Sequence, residues 1–419
     1  MEYIFLFQLI QLGNSENSIN SEVFANVQTK QFEVSEFFTY GKCFNFSGIL
    51  PGISKDNFES AKLYLTDGNG YEKTYKLYNE LIEENLVIST TEVINNGMIL
   101  DELDNGEYVG LIRLKLNNNV NAKFYSLANK SSYPNIEYYS VTKDGVNKKI
   151  DIQFKNMKIK DKEYEYLNIK VEECELPENI YDIVIDAGHG GVDKGEKSGS
   201  DTEANIAFIY SKVLKEKLES QGLKVKLTRD DTNSDTFTTT NMYDDNGRIS
   251  IACSSKAKYM FSFHINNGNK GLKGLEIYSP GKCDLNLAQN MANKVTTYTS
   301  LDYSNNNSFK QGEGVYVRNF TKSVITEFNN TANRKGYEPY NITLDTPYLY
   351  TIREVGGIAT NAYVDGRNTT YSANKYYNSN QGIECYQIEM GYIKNDLEII
   401  KNEVEQYTTA IAEAIMESI

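Results

Sequence analysis

Apolar and polar residues alternate with a period of two through much of residues 30–172. Ala61-Lys62-Leu63-Tyr64-Leu65, Lys149-Ile150-Asp151-Ile152-Gln153-Phe154 and Leu167-Asn168-Ile169-Lys170-Val171 each gather their apolar side chains on one face. That pattern predicts strands half-covered by a core, and residues 108–116 read the same way. Asp67-Gly68, Asn96-Gly97, Asn105-Gly106 and Asp144-Gly145 separate the runs and predict tight turns. Short strands at this spacing predict an all-β, immunoglobulin-like sandwich over 30–172. Residues 173–180 are charged, carry Pro177 and predict a linker.

From residue 181 the period changes. Ile183-Val184-Ile185 reads as a buried strand. A Gly-rich loop at 192–199 follows, and then a helix capped by Ser200 or Asp201, with Ile206, Tyr210, Val213 and Leu214 on one face. Gly222 stops it. Further strands are predicted at 223–228, 259–264, 275–278 and 383–388. Further helices are predicted at 248–253, around Leu287, Met291, Val295 and Tyr298, and over 396–419. Alternating strands and helices predict an α/β domain over 181–419, with a mostly parallel sheet flanked by helices. Its sites are expected at the carboxyl ends of the strands. Residues 302–381, rich in Asn, Tyr and Gly, break the rhythm and predict a long insertion acting as a binding loop or lid.

A chain of 419 residues is long enough for two such domains. The net charge of −14 argues against a nucleic-acid binder, because a phosphate backbone would repel it. Residues 1–29 form a separate N-terminal segment and a candidate export-signal remnant. Its apolar run at 3–7 is broken by Gln8 and Gln11, has no basic residue before it, and is too short to span a bilayer. The five cysteines, Cys43, Cys174, Cys253, Cys283 and Cys385, are scattered. They form neither a disulfide framework nor a thiolate zinc site.

Histidine changes the picture. The chain has two, His189 and His264, and each closes a predicted strand. Gly188, Gly190 and Gly191 surround the first, and predict a tight turn with room for substrate. Two imidazoles at strand ends need a third ligand to hold a metal. Glu203, in the first turn of the helix after the His189 loop, is the best candidate. His–Glu–His with an open fourth position is the catalytic pattern for Zn²⁺. Glu389 closes an otherwise apolar strand, where an acid is costly to bury without a purpose. It is the candidate general base and acid.

In order along residues 181–419 stand Ile185-Asp186-Ala187-Gly188-His189-Gly190-Gly191, Glu203 with Asn205, Leu227-Thr228-Arg229, and Arg248 ahead of Ser262-Phe263-His264-Ile265-Asn266. Gly274-Leu275-Glu276-Ile277-Tyr278 and Glu389-Met390-Gly391-Tyr392-Ile393-Lys394-Asn395 follow. This series resembles the zinc-dependent N-acetylmuramoyl-L-alanine amidases, cell-wall hydrolases that cut between muramic acid and the first L-Ala of the stem peptide. The resemblance implies that His189, Glu203 and His264 hold Zn²⁺ and that Glu389 moves protons. It implies peptidoglycan as the substrate and a secreted or wall-associated bacterial protein. Two departures stand out: Cys253 where the family usually has Asn, and a longer stretch between His264 and Glu389. Arg229 and Arg248 read as structural ion-pair partners. Arg353 is a candidate grip for a muropeptide carboxylate, and Asn266 is a second candidate substrate contact. Two other classes fit parts of the pattern: a zinc carboxypeptidase of wall peptides, and a non-catalytic wall-binding surface protein that keeps the fold for glycan binding. The β domain itself reads as a spacer or folding partner, or as a wall- or partner-binding module.

Overall fold

The computed structural model describes residues 21–419 apart from 25, 83–84, 118, 120, 142–145, 160, 231–241, 270, 337–341 and 363–373. The apolar run at 3–7 and the Asp144-Gly145 turn lie outside the described residues. The chain divides into two units. One holds residues up to Phe37 with Phe44–Glu92 and Gly97–Leu176. The other holds Phe38–Cys43, Val93–Asn96 and Pro177–Ile419.

The first unit is β-rich. Asn147–Ile159 and Lys162–Glu173 pair antiparallel, with Ile150 opposite Val171, Ile152 opposite Ile169 and Phe154 opposite Leu167. The period-two pattern thereby faces apolar residues across the strands, which is the unit of sheet stabilisation. Most of these side chains enter one core with Phe32, Leu63 and Ile112. Gly106–Leu116 pairs with both Lys162–Glu173 and Phe58–Thr66, so the ladders join into one branching hydrogen-bonded network.

In the second unit the elements that position the site are β1 (Ile183–Ala187), α1 (Glu203–Ser220), β2 (Val225–Leu227), α2 (Arg248–Ser254), β3 (Tyr259–Asn266) and β4 (Glu276–Tyr278). They continue with α3 (Asn286–Tyr298), β5 (Lys310–Gly312), β6 (Val315–Tyr316), α4 (Lys322–Arg334), α5 (Tyr350–Val355), β7 (Glu384–Tyr392), α6 (Leu397–Asn402) and α7 (Val404–Ser418). The sheet order is β2-β1-β3-β7-β4-β6-β5. Ile183, Ile185 and Ala187 pack on one face with Tyr210 of α1, Met291 of α3 and Ile411 of α7. Val184 packs on the other with Ile249 of α2 and Ile352 of α5. A strand covered on both faces reads as a near-continuous apolar run, as Ile183-Val184-Ile185 does; the one buried charge of β1, Asp186, is paired with Arg248.

The sheet is mixed. β2, β1, β3 and β7 are mutually parallel, whereas β4 runs antiparallel to β7 and β5 antiparallel to β6. The short connection from β3 to β4 explains the reversal: it leaves no length for a crossover, so β4 starts from the rim where β3 ends. The carboxyl ends of β1, β3 and β7 and the start of β4 therefore share one rim.

Three local expectations change. Lys197–Ser198 pairs with Asp201–Thr202 in a small hairpin, so α1 starts at Glu203 and its cap is Thr202, whose side chain accepts from Asn205 N. The predicted helix over 396–419 is two helices that meet at Glu403. The stretch 302–381 is not simply irregular, since it contributes β5 and β6 to the sheet and α4 and α5 beside it.

Candidate active site

His189 owes its position to a strained turn. It follows β1 with φ of 58°, an uncommon conformation for a residue with a side chain. Backbone bonds on both sides hold it there. Gly188 N donates to Phe263 O at 3.0 Å, and Arg248 Nη2 donates to His189 O at 3.2 Å. Gly190 and Asp193 exchange backbone bonds of 2.8 and 3.0 Å, and this closes the loop tightly. The Asp193 carboxylate is thereby returned to His189, 2.8 Å from Nδ1. That contact places the ring proton on Nδ1 and turns Nε2 toward Glu203 Oε1, 3.0 Å away.

Glu203 is 2% exposed and fixed at both oxygens. Oε1 accepts from Ile265 N at 2.8 Å, and Oε2 accepts from Glu196 N at 2.9 Å. His264, on β3, brings its Nδ1 to 3.0 Å from the same Oε1. The two imidazole rings stand 5.0 Å apart at 74°. One ligand atom from each of His189, Glu203 and His264 lies within 4.8 Å of the others. Burial pulls the His189 pKa down, but the bonds to Glu203 and Asp193 push it up to about 9. Burial raises Glu203, yet its bonds to the two histidines hold it well below the usual carboxylate range. Three converging donors, one imidazole oriented by a carboxylate, are the donor set and surroundings that suit a catalytic zinc ion.

Glu389 stands on β7 directly across from His264 in the ladder. Burial pushes its pKa up to about 7, with Glu203 and Glu276 adding to the rise and His264 and a bond from Gln387 opposing it. Gln387 Nε2 donates to Glu389 Oε1 at 2.8 Å, which fixes the carboxyl without ionising it outright. A carboxyl poised near neutrality can both take and give a proton. On the other side, Glu276 pairs with Glu389 across β4 and β7. Its buried carboxylate accepts from the hydroxyls of Tyr278, Ser304 and Tyr392 and from the Asn306 amide. The start of the 302–381 stretch is thus tied to the strand that carries Glu389.

The family model described as N-acetylmuramoyl-L-alanine amidase matches residues 183–419, more than half of the chain. The chain belongs to this family. A curated relative of the amidase chain, the uncharacterized protein YqiI of Bacillus subtilis (strain 168), is 24% identical over 165 residues, 38% of this chain and 76% of that protein. Among solved structures, Cwp6 from Clostridium difficile is 19% identical with a TM-score of 0.38, and the match covers 57% of this chain but 29% of Cwp6. The amidase AmiC2 of Nostoc punctiforme is 19% identical with a TM-score of 0.35, over 57% of this chain and 96% of that one. The CwlD amidase from Clostridioides difficile, solved with the GerS lipoprotein, is 20% identical with a TM-score of 0.33, over 57% and 97%.

Within the amidase domain, the other residues singled out from the sequence have separate fates. Arg353, on α5, is 6% exposed. It donates from Nε to Glu354 at 2.8 Å and from Nη1 to Pro347 O and Tyr348 O at 3.0 and 2.9 Å. Engaged in this way, it plays no part in the function proposed below. Asn266 ends β3, and its side-chain Nδ2 is buried with no partner among the described residues. Arg248 pairs with Asp186 at 2.7 Å, both buried. Gly188 makes room for a ligand: a Cβ there would stand 2.5 Å from His264 Cε1. Asp193 was missed. Its signal is a carboxylate four residues after His189 and two before Gly195, in a loop too short to hold it far from the ring.

Proposed function

We propose that this chain cleaves the amide bond between N-acetylmuramic acid and the L-Ala of the peptidoglycan stem peptide. The observation that carries the reading is the convergence of His189, Glu203 and His264 beside Glu389 on one sheet rim, in a member of the amidase family. A zinc ion held by those three side chains would supply Lewis acidity to the amide carbonyl and to water. The protein's own groups do the rest. Glu389 accepts a proton from the attacking water and delivers it to the amide nitrogen as the C–N bond breaks, leaving a lactyl carboxylate and the free amine of L-Ala. Asp193 holds the His189 tautomer. The Asn266 amide offers an unspent donor to a substrate carbonyl, since a buried donor without a partner is costly. Such an enzyme acts at the cell wall, and the β-rich unit, read as an immunoglobulin-like module, serves as a wall-binding part or spacer. No helix among the described residues is long and apolar enough to cross a membrane.

Digestion of purified peptidoglycan, with and without a chelator and with zinc restored, tests the reading. The expected products are free stem peptides with an L-Ala amino terminus, identified by mass. Release of single amino acids would instead point to a carboxypeptidase. Glu389→Gln should bind zinc as the parent does and lose about 10²–10⁴-fold in turnover. A near-parental rate in that variant sinks the assignment.

A further inference from the structure

Arg229 lies just beyond β2 and supplies no metal ligand, yet its one guanidinium touches two of the three segments that do. Nε donates to Ala187 O at 3.0 Å. Nη2 donates to Gly188 O at 3.1 Å and to Ala204 O at 2.7 Å. Ala187 and Gly188 immediately precede His189, and Ala204 immediately follows Glu203. The side chain is 4% exposed and lies 5.1 Å from the centroid of the Phe208 ring on α1. The adjacent Thr228 hydroxyl binds Asp186 of β1 at 2.7 Å, so the segment that carries Arg229 is itself anchored to the strand.

Other bonds also link the loop to α1. Glu203 N donates to Glu196 O, and Ala204 N to Lys194 O. These secure the far end of the loop, five to seven residues past His189. Arg229 secures the near end, where His189 leaves the strand in its left-handed conformation. Ligands must be held within about 0.5 Å of productive geometry, and a strained residue keeps its conformation only where its surroundings over-determine it. A planar fork with several fixed donors can bridge carbonyls from two elements at once, whereas a lysine ammonium is a single flexible point.

We infer that Arg229 is a positioning residue that sets the affinity and geometry of the metal site by clamping the His189 turn to the Glu203 helix. The inference rests on the reading of His189, Glu203 and His264 as metal ligands. The clamp acts on the backbone just before His189 and just after Glu203 and needs no contact with substrate.

The test compares the full-length parent with Arg229→Lys, which keeps the charge and most of the bulk. Zinc affinity is measured by competition with a chromophoric chelator, and the visible spectrum of the cobalt-substituted protein reports ligand geometry. The variant should bind zinc about 10–100-fold more weakly and show an altered cobalt spectrum, while its metal-free form keeps the parental circular dichroism. Phe208→Leu removes the ring beside the guanidinium without touching a bond, and should weaken zinc by about two- to fivefold. It decides the matter should Arg229→Lys not fold. Parental affinity and spectrum in a folded Arg229→Lys protein, or in Phe208→Leu where that variant decides, overturn the clamp and leave the amidase reading intact. A parent that binds no zinc removes the metal reading, and the clamp with it.

Discussion

Glu384→Gln removes a carboxyl from the start of β7, far along the strand from Glu389. Glu384 is 5% exposed and accepts from Asn95 Nδ2 at 2.9 Å and from the Tyr386 hydroxyl. Burial pushes its pKa from the ordinary 4.5 up to about 7; the bonds from Tyr386 and Asn95 and the charge of Lys42 oppose the rise, and Asp284 adds to it. Tyr40 and Cys283 also face this carboxyl or its neighbours. The folded pKa lies above the unfolded one, so between the two the native state keeps a proton that the unfolded chain has released. The resulting stabilisation is fully present below about pH 4.5 and is lost as pH rises through about 7. Raising the carboxyl pKa from 4.5 to about 7 corresponds to about 3 kcal/mol in all, of which about 2.5 kcal/mol falls between about pH 5 and about pH 8.5. Glutamine accepts the same two bonds and carries no charge, so the variant should gain that amount relative to the parent across that interval. Pulse proteolysis across a urea series in the presence of chelator, following peptides from residues 177–419, measures it. The other titrations, at His189 and Glu389, cancel between parent and variant. Parallel stability–pH curves for the two proteins would refute the reasoning.

Three further substitutions address the proposed metal site. Gly195 and Gly199 share a φ of +61°, but a Cβ on Gly195 would stand 2.5 Å from Glu203 Oε2 and 2.7 Å from His189 Cδ2, whereas none of the atoms around Gly199 comes within 4 Å. Gly195→Ala should abolish zinc binding and wall hydrolysis, and Gly199→Ala, with equal backbone strain, should keep both; equal losses in the two would mean that strain alone is being read. Asp193→Ala should weaken zinc by about 10–100-fold in a chelator competition, and an unchanged affinity would show that Asp193 does not orient the His189 ring.

Much of the site was legible because rare residues stood at element ends. Two histidines closing two apolar runs, an acid opening a helix and an acid closing a strand are local patterns, and the structure brings all four to one rim. Arg353 shows what sequence leaves out: it tells that a guanidinium is present but not what surrounds it, and in the structure Glu354 and two carbonyls accept from Nε and Nη1. The glycines around His189 read from the sequence as a tight turn with room for substrate; the structure adds that a Cβ on Gly188 would meet the His264 ring. β5 and β6 were hidden because they are only three and two residues long, whereas α4 does carry Val324, Ile325, Phe328 and Ala332 at helical spacing, a stripe masked by the Asn-rich, polar setting of the stretch.

The sequence alone determined what depends on near neighbours: the β-rich first half, the α/β second half, the strand that delivers each histidine and the family they mark. Side-chain periodicity and turn chemistry are local properties, readable without a partner. Tertiary structure decided what depends on register and direction across the sheet. It set β4 antiparallel to β7, placed Glu276 opposite Glu389, turned Asp193 back onto His189, and brought Arg229 from the end of β2 onto the carbonyls beside His189 and Glu203. Those contacts form between residues separated by a few to more than a hundred positions, where only the packed sheet fixes which groups meet.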